Sequence, residues 1–391
     1  MAKASNLPKK VGLTLAPRVQ RPTMTDVAKL AGVSQSTVSM VLNNVTSARL
    51  SPETRGKVLD AALNLGYQLS QTPRPDPAVL LKSLQMPLNK NSDVRQRRLI
   101  VYMVDEISTS PHPVVSVDGA RDAAWENNCV LSVAVTHGNP EQERAIIETA
   151  MCNPLLLGFI YSAIFTRQVQ LPAALDNIPT VLLNCHDATH KYPTVVPGEL
   201  SGGHAATEHL IGAGHQRIAF INGESWMEAA KDRLKGYRRA LATADIAYDA
   251  ALVRDGDWMS GSGFDATLSL LAQARPPTAI FCANDLMAVG ALEALKSLNL
   301  RVPDDVSLMG YDDQEISRHT HPPLSTVLLP NYEMGRCAVE SLLNEIHNNQ
   351  PVYAGSSHKP RRLLLKVDCP VVERQSVALY TAQAAKLVLT A

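Results

Sequence analysis

The sequence has 391 residues, of which 45% are hydrophobic and 19% are charged. This composition is that of an ordinary globular chain, and it excludes a disordered or a collagen-like protein. The length predicts two or three domains, with enough residues to bury a sizeable core.

Basic and acidic residues balance at 37 each, but they are unevenly distributed along the chain. Residues 1–98 contain 15 Lys and Arg against 5 Asp and Glu, a net charge of +10, whereas residues 99–391 contain 22 against 32, a net charge of −10. This asymmetry predicts a basic module that binds a polyanion, joined to an acidic body with another task.

The six cysteines are scattered, with no Cys-x-x-Cys pair among them. This pattern is typical of free thiols in a reducing compartment, and it favours neither a disulfide framework nor a zinc site. No apolar segment has the length of a signal-peptide core or of a membrane span. We therefore expect a cytoplasmic protein with no membrane partner, no cofactor and no metal.

The chain begins with a basic arm. Residues 1–22 contain five basic and three proline residues and no acidic residue, which is the composition of a disordered segment.

The segment 25–42 has the pattern of a helix-turn-helix. Its apolar residues recur at helical spacing until Gly32 interrupts them, and Ser34 then caps a second helix. Such a unit places its second helix in the major groove of DNA. The alternative is a helical hairpin that binds no nucleic acid, but the basic charge of this part of the chain favours DNA.

A third helix follows, with Ser51 at the N-cap, Pro52 at the first helical position and Gly66 at its end. Three short helices form a core of about fifty residues, near the lower limit for independent stability. We therefore assign residues 23–72 to a DNA-binding domain.

Residues 73–97 join this domain to the body. Pro73-Arg-Pro-Asp-Pro77 is expected to be extended, because each proline fixes its φ angle and disfavours a helix at the preceding residue. A brief helix over residues 78–85 and a polar, basic linker complete this segment.

From Leu99 onward, short apolar runs alternate with helical patterns, which predicts an α/β fold with parallel sheets covered by helices. Strands are expected at residues 99–104, 129–135, 158–161, 180–183, 217–221, 279–282 and 306–309. Helices are expected at residues 113–126, 141–151, 202–212, 231–243, 263–272 and 286–298. Because some 270 residues are too many for one such sheet, we infer two lobes with a ligand cleft between them.

Several motifs, taken in this order and spacing, resemble the LacI/GalR family of transcriptional regulators. They are residues 25–42, Ser51-Pro-Glu-Thr-Arg55, Gly66-Tyr67, Gly214-His215, Asp232-Arg233-Leu-Lys-Gly236, Ala283-Asn-Asp285, Val302-Pro-Asp-Asp-Val306 and Gly310-Tyr-Asp-Asp313. The resemblance covers residues 23–373. It implies a homodimer whose headpieces bind palindromic double-stranded operator DNA, and a body, similar to periplasmic sugar-binding proteins, that binds a small effector.

The implied function is that of a sequence-specific transcriptional regulator, expected to be a repressor controlled by a sugar and associated with the bacterial nucleoid. The effector-binding domain would span residues 98–375. Its first lobe would hold residues 98–196 and 331–358, and its second lobe residues 197–330 and 359–375. Residues 376–391 would form a loose tail.

The resemblance also assigns DNA contacts. Gln35 and Ser36 lie where family members contact base edges, and Gln pairs well with adenine. The complete set of expected DNA-binding residues is Thr23, Thr25, Ser34, Gln35, Ser36, Thr37, Ser39, Met40, Asn43, Arg49 and Leu84. For Ser36 and Thr37, a hydroxyl that is merely solvated is an equal alternative.

Two departures from the family concern this surface: Met40 in the second helix, and the loop 43–50, which is about two residues longer than in the best-known members. Met40 stands where many relatives carry Arg, so a guanine contact is lost and the operator preference is expected to differ. Leu84, in Leu81-Lys-Ser-Leu84, matches the leucine that wedges into the minor groove. The proline-rich segment before it is unusual, and Leu84 packing between partner hinges is the alternative.

Six side chains are placed around the cleft by the resemblance, two from the first lobe and four from the second: Ser162, Asn184, Arg233, Trp258, Asn284 and Asp312. Charged and amide groups suit a polyhydroxyl ligand, and an indole offers a flat face to a sugar ring. The alternatives are a core aromatic for Trp258 and an already paired loop carboxylate for Asp312. The loop 106–113 is also expected to border the cleft.

Two other classes of protein are weighed against this interpretation. A periplasmic binding protein fits the body but not the headpiece. An enzyme is disfavoured because the sequence contains no nucleophile elbow, Walker loop or Gly-x-Gly-x-x-Gly motif, and its histidines, such as His112 and His186, are scattered. We therefore predict no catalytic residues.

Overall fold

The computed structural model describes residues 23–42, 51–65, 97–348 and 363–380. The chain divides into two compact units, residues 1–87 and residues 88–391. Within the described ranges, no helix is long and apolar enough to cross a bilayer.

The first unit contains three helices, α1 (Met24–Ala31), α2 (Gln35–Leu42) and α3 (Pro52–Asn64). Each start is fixed by a hydroxyl residue, as the sequence predicts for α2 and α3. The Ser34 hydroxyl accepts a hydrogen bond from the Thr37 amide at 3.1 Å, and the Ser51 hydroxyl accepts one from the Thr54 amide at 3.2 Å.

The turn after α1 depends on Gly32, which has a φ of 66°, in the left-handed region that disfavours residues with a Cβ. The three helices enclose a core of small apolar side chains. Its buried members are Val27, Ala28, Val38, Val41, Val58, Ala61 and Ala62. The helix-turn-helix architecture is therefore confirmed.

The second unit contains two parallel sheets. The first has six strands: β1 (Arg98–Val104), β2 (Cys129–Val135), β3 (Leu156–Ser162), β4 (Thr180–Leu183), β5 (Thr194–Pro197) and β11 (Leu364–Val367). The second has four strands: β6 (Ile218–Asn222), β7 (Val253–Asp255), β8 (Ala279–Cys282) and β9 (Ser307–Met309). The spatial orders are β11-β5-β4-β3-β1-β2 and β7-β6-β8-β9.

Helices cover these sheets, so that the central strands are buried and consist of apolar runs. They are α4 (His112–Glu126), α5 (Pro140–Met151), α6 (Glu199–Gly212), α7 (Glu228–Thr243), α8 (Ser260–Leu271), α9 (Asp285–Ser297), α10 (Glu315–His319) and α11 (Asn331–Asn348). A short antiparallel pair, β10 (Thr326–Val327) with β12 (Val371–Val372), completes the fold.

Close helix packing in the first lobe depends on glycine. A Cβ at Gly119 in α4 would lie 1.9 Å from the Tyr332 carbonyl oxygen in α11, so only glycine allows the two backbones to approach this closely.

The predicted strands and helices of the body are present, with ends shifted by at most three residues. Helices such as α6 and α7 begin earlier than predicted, because a helix starts at a polar first turn that an apolar pattern does not include. Helices α10 and α11 are not among the sequence predictions, and neither are the short strands β5, β7, β10, β11 and β12.

Two predicted boundaries need correction. The expectation that residues 359–375 belong wholly to the second lobe is wrong at β11, which pairs in parallel with β5 of the first sheet. The reason is backbone pairing at the open edge of β5: the Thr194 amide donates to the Leu363 carbonyl, and the Gly198 amide donates to the Val367 carbonyl, both at 2.8 Å.

The expectation of a loose tail from residue 376 is wrong for residues 376–380. The Ser376 hydroxyl donates to the Leu308 carbonyl at 2.6 Å and accepts from the Ser325 amide at 2.7 Å. The Tyr380 amide donates to the Ala213 carbonyl at 2.8 Å. These residues are therefore packed on the second lobe, and residues 381–391 lie outside the described part of the chain.

Candidate nucleic-acid interface and effector site

Helix α2 presents polar side chains on the surface of the first unit. Gln35 is exposed, and Ser39 and Met40 are partly exposed, while Val38 on the opposite side is completely buried. The helix thus has one face for the core and one face available to DNA. The side chain of Ser36 is outside the description, as are Asn43, Arg49 and Leu84.

Three hydroxyls of the predicted DNA surface, those of Thr23, Ser34 and Thr37, are engaged in local hydrogen bonds. Thr23 Oγ1 donates to Asp26 Oδ2 at 2.7 Å, and Ser34 Oγ lies 2.8 Å from Thr37 Oγ1. Thr23 and Ser34 therefore stabilise the starts of α1 and α2, a role the sequence indicates for Ser34. Thr25 is exposed in the first turn of α1.

In the second unit, Arg233 is the most strongly held member of the predicted effector set. Its guanidinium is buried and binds Glu199 with two hydrogen bonds, Nε to Oε2 at 2.7 Å and NH2 to Oε1 at 2.9 Å. NH1 donates to the carbonyl of Ala283. Burial disfavours the charged form, but Glu199, Tyr311 and Asp312 outweigh it and raise the pKa of Arg233 above its ordinary value.

Asn284 and Trp258 form a connected pair next to Arg233. Asn284 Oδ1 accepts from the Met287 amide at 2.9 Å and so caps α9, while its Nδ2 donates to the Trp258 carbonyl at 2.9 Å. The centre of the Trp258 ring lies 5.6 Å from the guanidinium carbon of Arg233. The indole also covers Gly223, where a Cβ would lie 1.9 Å from it.

Trp258 is only partly buried, and it packs against the core of the second lobe. It therefore combines the two roles that the sequence leaves open, a core contact on one side and an accessible surface on the other.

Asp312 lies between the two lobes. It is buried, and its Oδ2 accepts from Gln314 Nε2 at 3.1 Å. Its Oδ1 is 3.6 Å from Arg233 NH2, and its Oδ2 is 3.6 Å from His112 Nε2. Asp312 thus connects the second-lobe set to a histidine of the first lobe.

The two first-lobe residues sit at the carboxyl ends of adjacent strands. Ser162 ends β3 and accepts a hydrogen bond from the Tyr102 hydroxyl at 3.1 Å. Asn184 directly follows β4 and accepts from Thr166 Oγ1 at 2.6 Å. Both residues line a cavity of about 10 Å³ together with His112.

His112 is one of two site residues that sequence reasoning misses, the other being Glu199, the partner of Arg233. His112 Nδ1 lies 3.0 Å from Asn331 Nδ2, at the start of α11, and its Nε2 faces Asp312. It therefore touches both halves of the predicted site. The sequence predicts that the loop 106–113 borders the cleft, and His112 lies in this loop, but no pattern distinguishes it from its neighbours.

Comparison with known proteins identifies the chain. The model for bacterial regulatory proteins of the lacI family matches residues 23–70, and the model for periplasmic binding protein-like domains matches residues 207–377. The ribose operon repressor of Haemophilus influenzae is 33% identical over 357 residues, which cover 91% of this chain and 98% of that protein. The chain belongs to the LacI family.

Solved structures agree with this assignment. The complex of the transcriptional regulator CelR with cellobiose is 30% identical, with a TM-score of 0.58, over 91% of this chain and 100% of that one. The lac repressor dimer bound to operator and the anti-inducer ONPF is 28% identical, with a TM-score of 0.58, over 92% and 100%. The predicted family and fold are therefore confirmed, and the headpiece match disfavours a periplasmic binding protein.

Proposed function

We propose that this LacI-family protein is a transcriptional repressor whose affinity for operator DNA is controlled by a neutral polyhydroxyl effector, a sugar, bound between its lobes. This function is supported by the presence of a DNA-binding headpiece and a two-lobed ligand-binding body in one chain. A helix-turn-helix with a polar outer face precedes a two-lobed body, and His112 of the first lobe, which lines a cavity with Ser162 and Asn184, faces Asp312 of the second lobe at 3.6 Å.

The charge of the cleft favours a neutral effector. Arg233 is the cation among the predicted residues, and its guanidinium is already matched by the two oxygens of Glu199 and faced by Asp312. Counted together, these three groups carry a net charge of −1, so an anionic ligand would meet uncompensated carboxylate charge.

The remaining groups suit hydroxyls. Asn184 and Ser162 both donate and accept hydrogen bonds, and Trp258 offers an apolar ring face. The cellobiose-bound relative supports a carbohydrate as the ligand class.

We propose that the protein acts as a homodimer, as the lac repressor neighbour does. Two α2 helices would then bind the two halves of a palindromic operator, with Gln35 and Ser36 at base edges and without an enzymatic activity. The effector changes operator affinity to the extent that it binds one lobe arrangement better than the other, and this coupling is reciprocal.

The test uses the full-length protein and an operator selected from random duplex DNA. Operator affinity, measured by fluorescence anisotropy, should fall linearly on a log–log plot against salt concentration, because phosphate contacts release counterions. D-ribose, D-glucose, D-fructose, cellobiose, maltose and sucrose are then added, and at least one should shift the operator Kd.

Gln35→Ala should weaken the selected operator more than random DNA, whereas Leu63→Ala, at an exposed position of α3, should change neither. A flat salt dependence would contradict DNA binding by this basic module, and the absence of any response to the sugar panel would contradict the proposed effector class.

A further inference from the structure

Two side-chain contacts join the lobes beside the predicted effector residues. The ring of Phe165, in the loop after β3, meets the ring of Trp226, in the loop after β6, edge-on with ring centres 5.7 Å apart. His186, in the segment after β4, donates from Nε2 to the carboxylate oxygens of Glu228, the first residue of α7, at 2.9 and 3.1 Å. Each contact pairs one lobe with the other, so both must break when the lobes separate. We call these four residues the latch.

The first-lobe half of the latch is firmly supported. The loop that contains Phe165 is held by Asp105, whose Oδ1 accepts from the Ile164 amide at 2.9 Å and whose Oδ2 accepts from Arg167 NH2 at 2.7 Å. Two backbone hydrogen bonds, of 3.0 and 2.8 Å, join the same loop to His186. The two first-lobe latch residues therefore form one unit.

The second-lobe half of the latch lies at the start of one helix. Trp226 and Glu228 are separated by a single residue, Met227, at the N-cap of α7. The Met227 amide donates to the Glu224 carbonyl at 3.0 Å, and Trp226 Nε1 donates to a carboxylate oxygen of Glu224 at 3.2 Å. Trp226 is 58% exposed, so it contributes little to the core of its own lobe, and its ring is available to the other lobe.

The latch adjoins the groups that hold two predicted effector residues. Thr166, which follows the aromatic latch residue of the first lobe, donates from Oγ1 to Asn184 Oδ1 at 2.6 Å. Met227, which stands between the two latch residues of the second lobe, accepts through Sδ from Trp258 Nε1 at 3.0 Å. One predicted effector residue of each lobe is therefore hydrogen-bonded to a direct neighbour of the latch.

We propose that the latch residues are positioning residues: they hold the lobes closed around the effector, with Asn184 and Trp258 in place, and so set its affinity. An effector that binds only the closed arrangement loses apparent affinity in proportion to the fraction of molecules that are closed. Each contact that stabilises closure therefore tightens binding and slows release. This inference rests on the proposed function, because it concerns how the same site retains its effector.

The aromatic contact is tested with the full-length protein and D-ribose, D-glucose, D-fructose, cellobiose, maltose and sucrose. Trp226→Ala should weaken each sugar that the wild type binds by about two- to tenfold, the range that corresponds to one aromatic pair. Isothermal titration calorimetry measures this loss, and stopped-flow fluorescence should assign it to faster release. Tyr248→Ala is the matched control, because this exposed ring contacts Tyr237 and Arg238 within the second lobe, and it should leave affinity unchanged.

The polar contact is tested with Glu228→Gln. Removing the carboxylate charge weakens the hydrogen bond from His186, and sugar affinity should fall severalfold. Glu208→Gln is the matched control, because its partner His204 lies one turn earlier in the same helix of the second lobe. Equal losses in these two variants would show that the contact between the lobes has no special role.

A double-mutant cycle tests whether the two aromatic rings act through one another. Phe165→Ala combined with Trp226→Ala should weaken sugar binding by less than the product of the two single effects, because either change alone already breaks the contact. Effects that multiply would show that the rings act separately, and would overturn the latch.

Hydrogen exchange tests the latch without any sugar. Phe165→Ala in the first lobe should raise severalfold the exchange rates of amides 224–231 in the second lobe, whereas Tyr248→Ala should leave those of amides 164–169 unchanged. Unchanged exchange at 224–231, or unchanged sugar affinity in Trp226→Ala, would overturn the latch and leave the sugar effector standing. If the wild type binds none of the sugars, the sugar effector is wrong, and the exchange measurement alone decides on the latch.

Discussion

The headpiece and the two-lobed body place their functional side chains in opposite ways. In the headpiece, Gln35 projects from a helix surface, and the polar contacts of Thr23 and Ser34 are to residues three positions away. In the body, Arg233 and Asn284 are buried and bonded to groups far along the sequence. Function in the first case is a property of one helix face, whereas in the second it depends on how distant segments meet.

The hydrophobic cores of the two units also differ, in the size of the side chains that they bury. Among the described residues, the fully buried part of the headpiece core consists of Val and Ala, while the second lobe buries aromatic rings such as Phe220, Tyr237 and Phe281 around its central strands. Aromatic side chains bury more area per residue, so the body has the larger reserve of stability. Variants in each unit should therefore have separable effects.

The largest expected effect is that of Arg233→Met in the body. This change leaves Glu199 buried without its partner, and removing one member of a buried ion pair typically costs about 3–5 kcal/mol. Urea unfolding followed by tryptophan fluorescence reports on the body alone, because Trp125, Trp226 and Trp258 all lie there.

Two further variants make this prediction specific. Lys235→Met removes an exposed ion pair on the same helix and should leave the urea midpoint unchanged. Arg233→Met combined with Glu199→Leu should recover part of the lost stability, since the buried Glu199 carboxylate is then removed and only that of Asp312 still lacks the guanidinium. An equal midpoint for the double and the single variant would show that packing, and not the unpaired carboxylate, causes the loss.

A smaller effect is expected for Val38→Ala in the headpiece core. Val38 is completely buried, and truncating it should cost about 2 kcal/mol in a domain of marginal stability. Operator affinity, measured by anisotropy, should fall at least tenfold, while the tryptophan-detected unfolding of the body stays unchanged.

Leu63→Ala, which truncates an exposed leucine of α3, is the matched control and should preserve operator affinity. A shift of the body's unfolding midpoint by Val38→Ala would mean that the two units do not unfold independently.

The same contrast explains what the sequence can and cannot predict. The caps Ser34 and Ser51 and the turn at Gly32 are local signals, so the headpiece follows from short patterns. The apolar runs of β1 and β8 likewise predict buried strands. These features depend on residues within one turn or one strand, where propensity and periodicity are informative.

The missed features are long-range pairings. Strand β11 is short, and although Leu364-Leu-Lys-Val367 is mostly apolar, none of its side chains is fully buried at the sheet edge. It is identified by its pairing with β5, some 170 residues earlier in the chain by numbering. Glu199 becomes a site residue only because α6 and α7 pack together and bring it to Arg233. His112 is selected from its loop by Asn331 and Asp312, which no local pattern connects to it.

A pH-dependent effect of smaller size is expected from Asp285, which follows Asn284 and is completely buried in the body. Its Oδ1 accepts from Thr326 Oγ1 at 2.6 Å, and its Oδ2 accepts from the Gln314 amide at 2.7 Å. Burial, with a further contribution from the Asp312 carboxylate, raises the pKa of Asp285 to about 8. The unfolded chain titrates near about 4, so between these values the folded protein keeps a proton that the unfolded protein has lost.

The sign of the effect follows from this difference in bound protons. The stabilising contribution is fully present below about pH 4, and it is lost as the pH rises to about 8, with a slope of at most about 1.4 kcal/mol per pH unit. Asp285→Asn does not titrate. Its amide oxygen accepts from the Gln314 amide, and its NH2 donates to the Thr326 hydroxyl, which changes from donor to acceptor as it does when Asp285 itself is protonated. Urea unfolding at pH 6, 7 and 8 should therefore show that the variant loses less stability with rising pH than the wild type.

Comparing the variant with the wild type at each pH cancels the contributions of the other titrating groups to the free energy of unfolding. One of these groups is His215, whose pKa is lowered by burial. Asp265→Asn, at an exposed position of α8, is the control and should keep the wild-type slope. Identical slopes for Asp285→Asn and the wild type would mean that Asp285 is ionised in the folded body at neutral pH. Thr326 and Gln314 would then hold a carboxylate beside Asp312, and the cleft would carry one more negative charge, which disfavours an anionic effector.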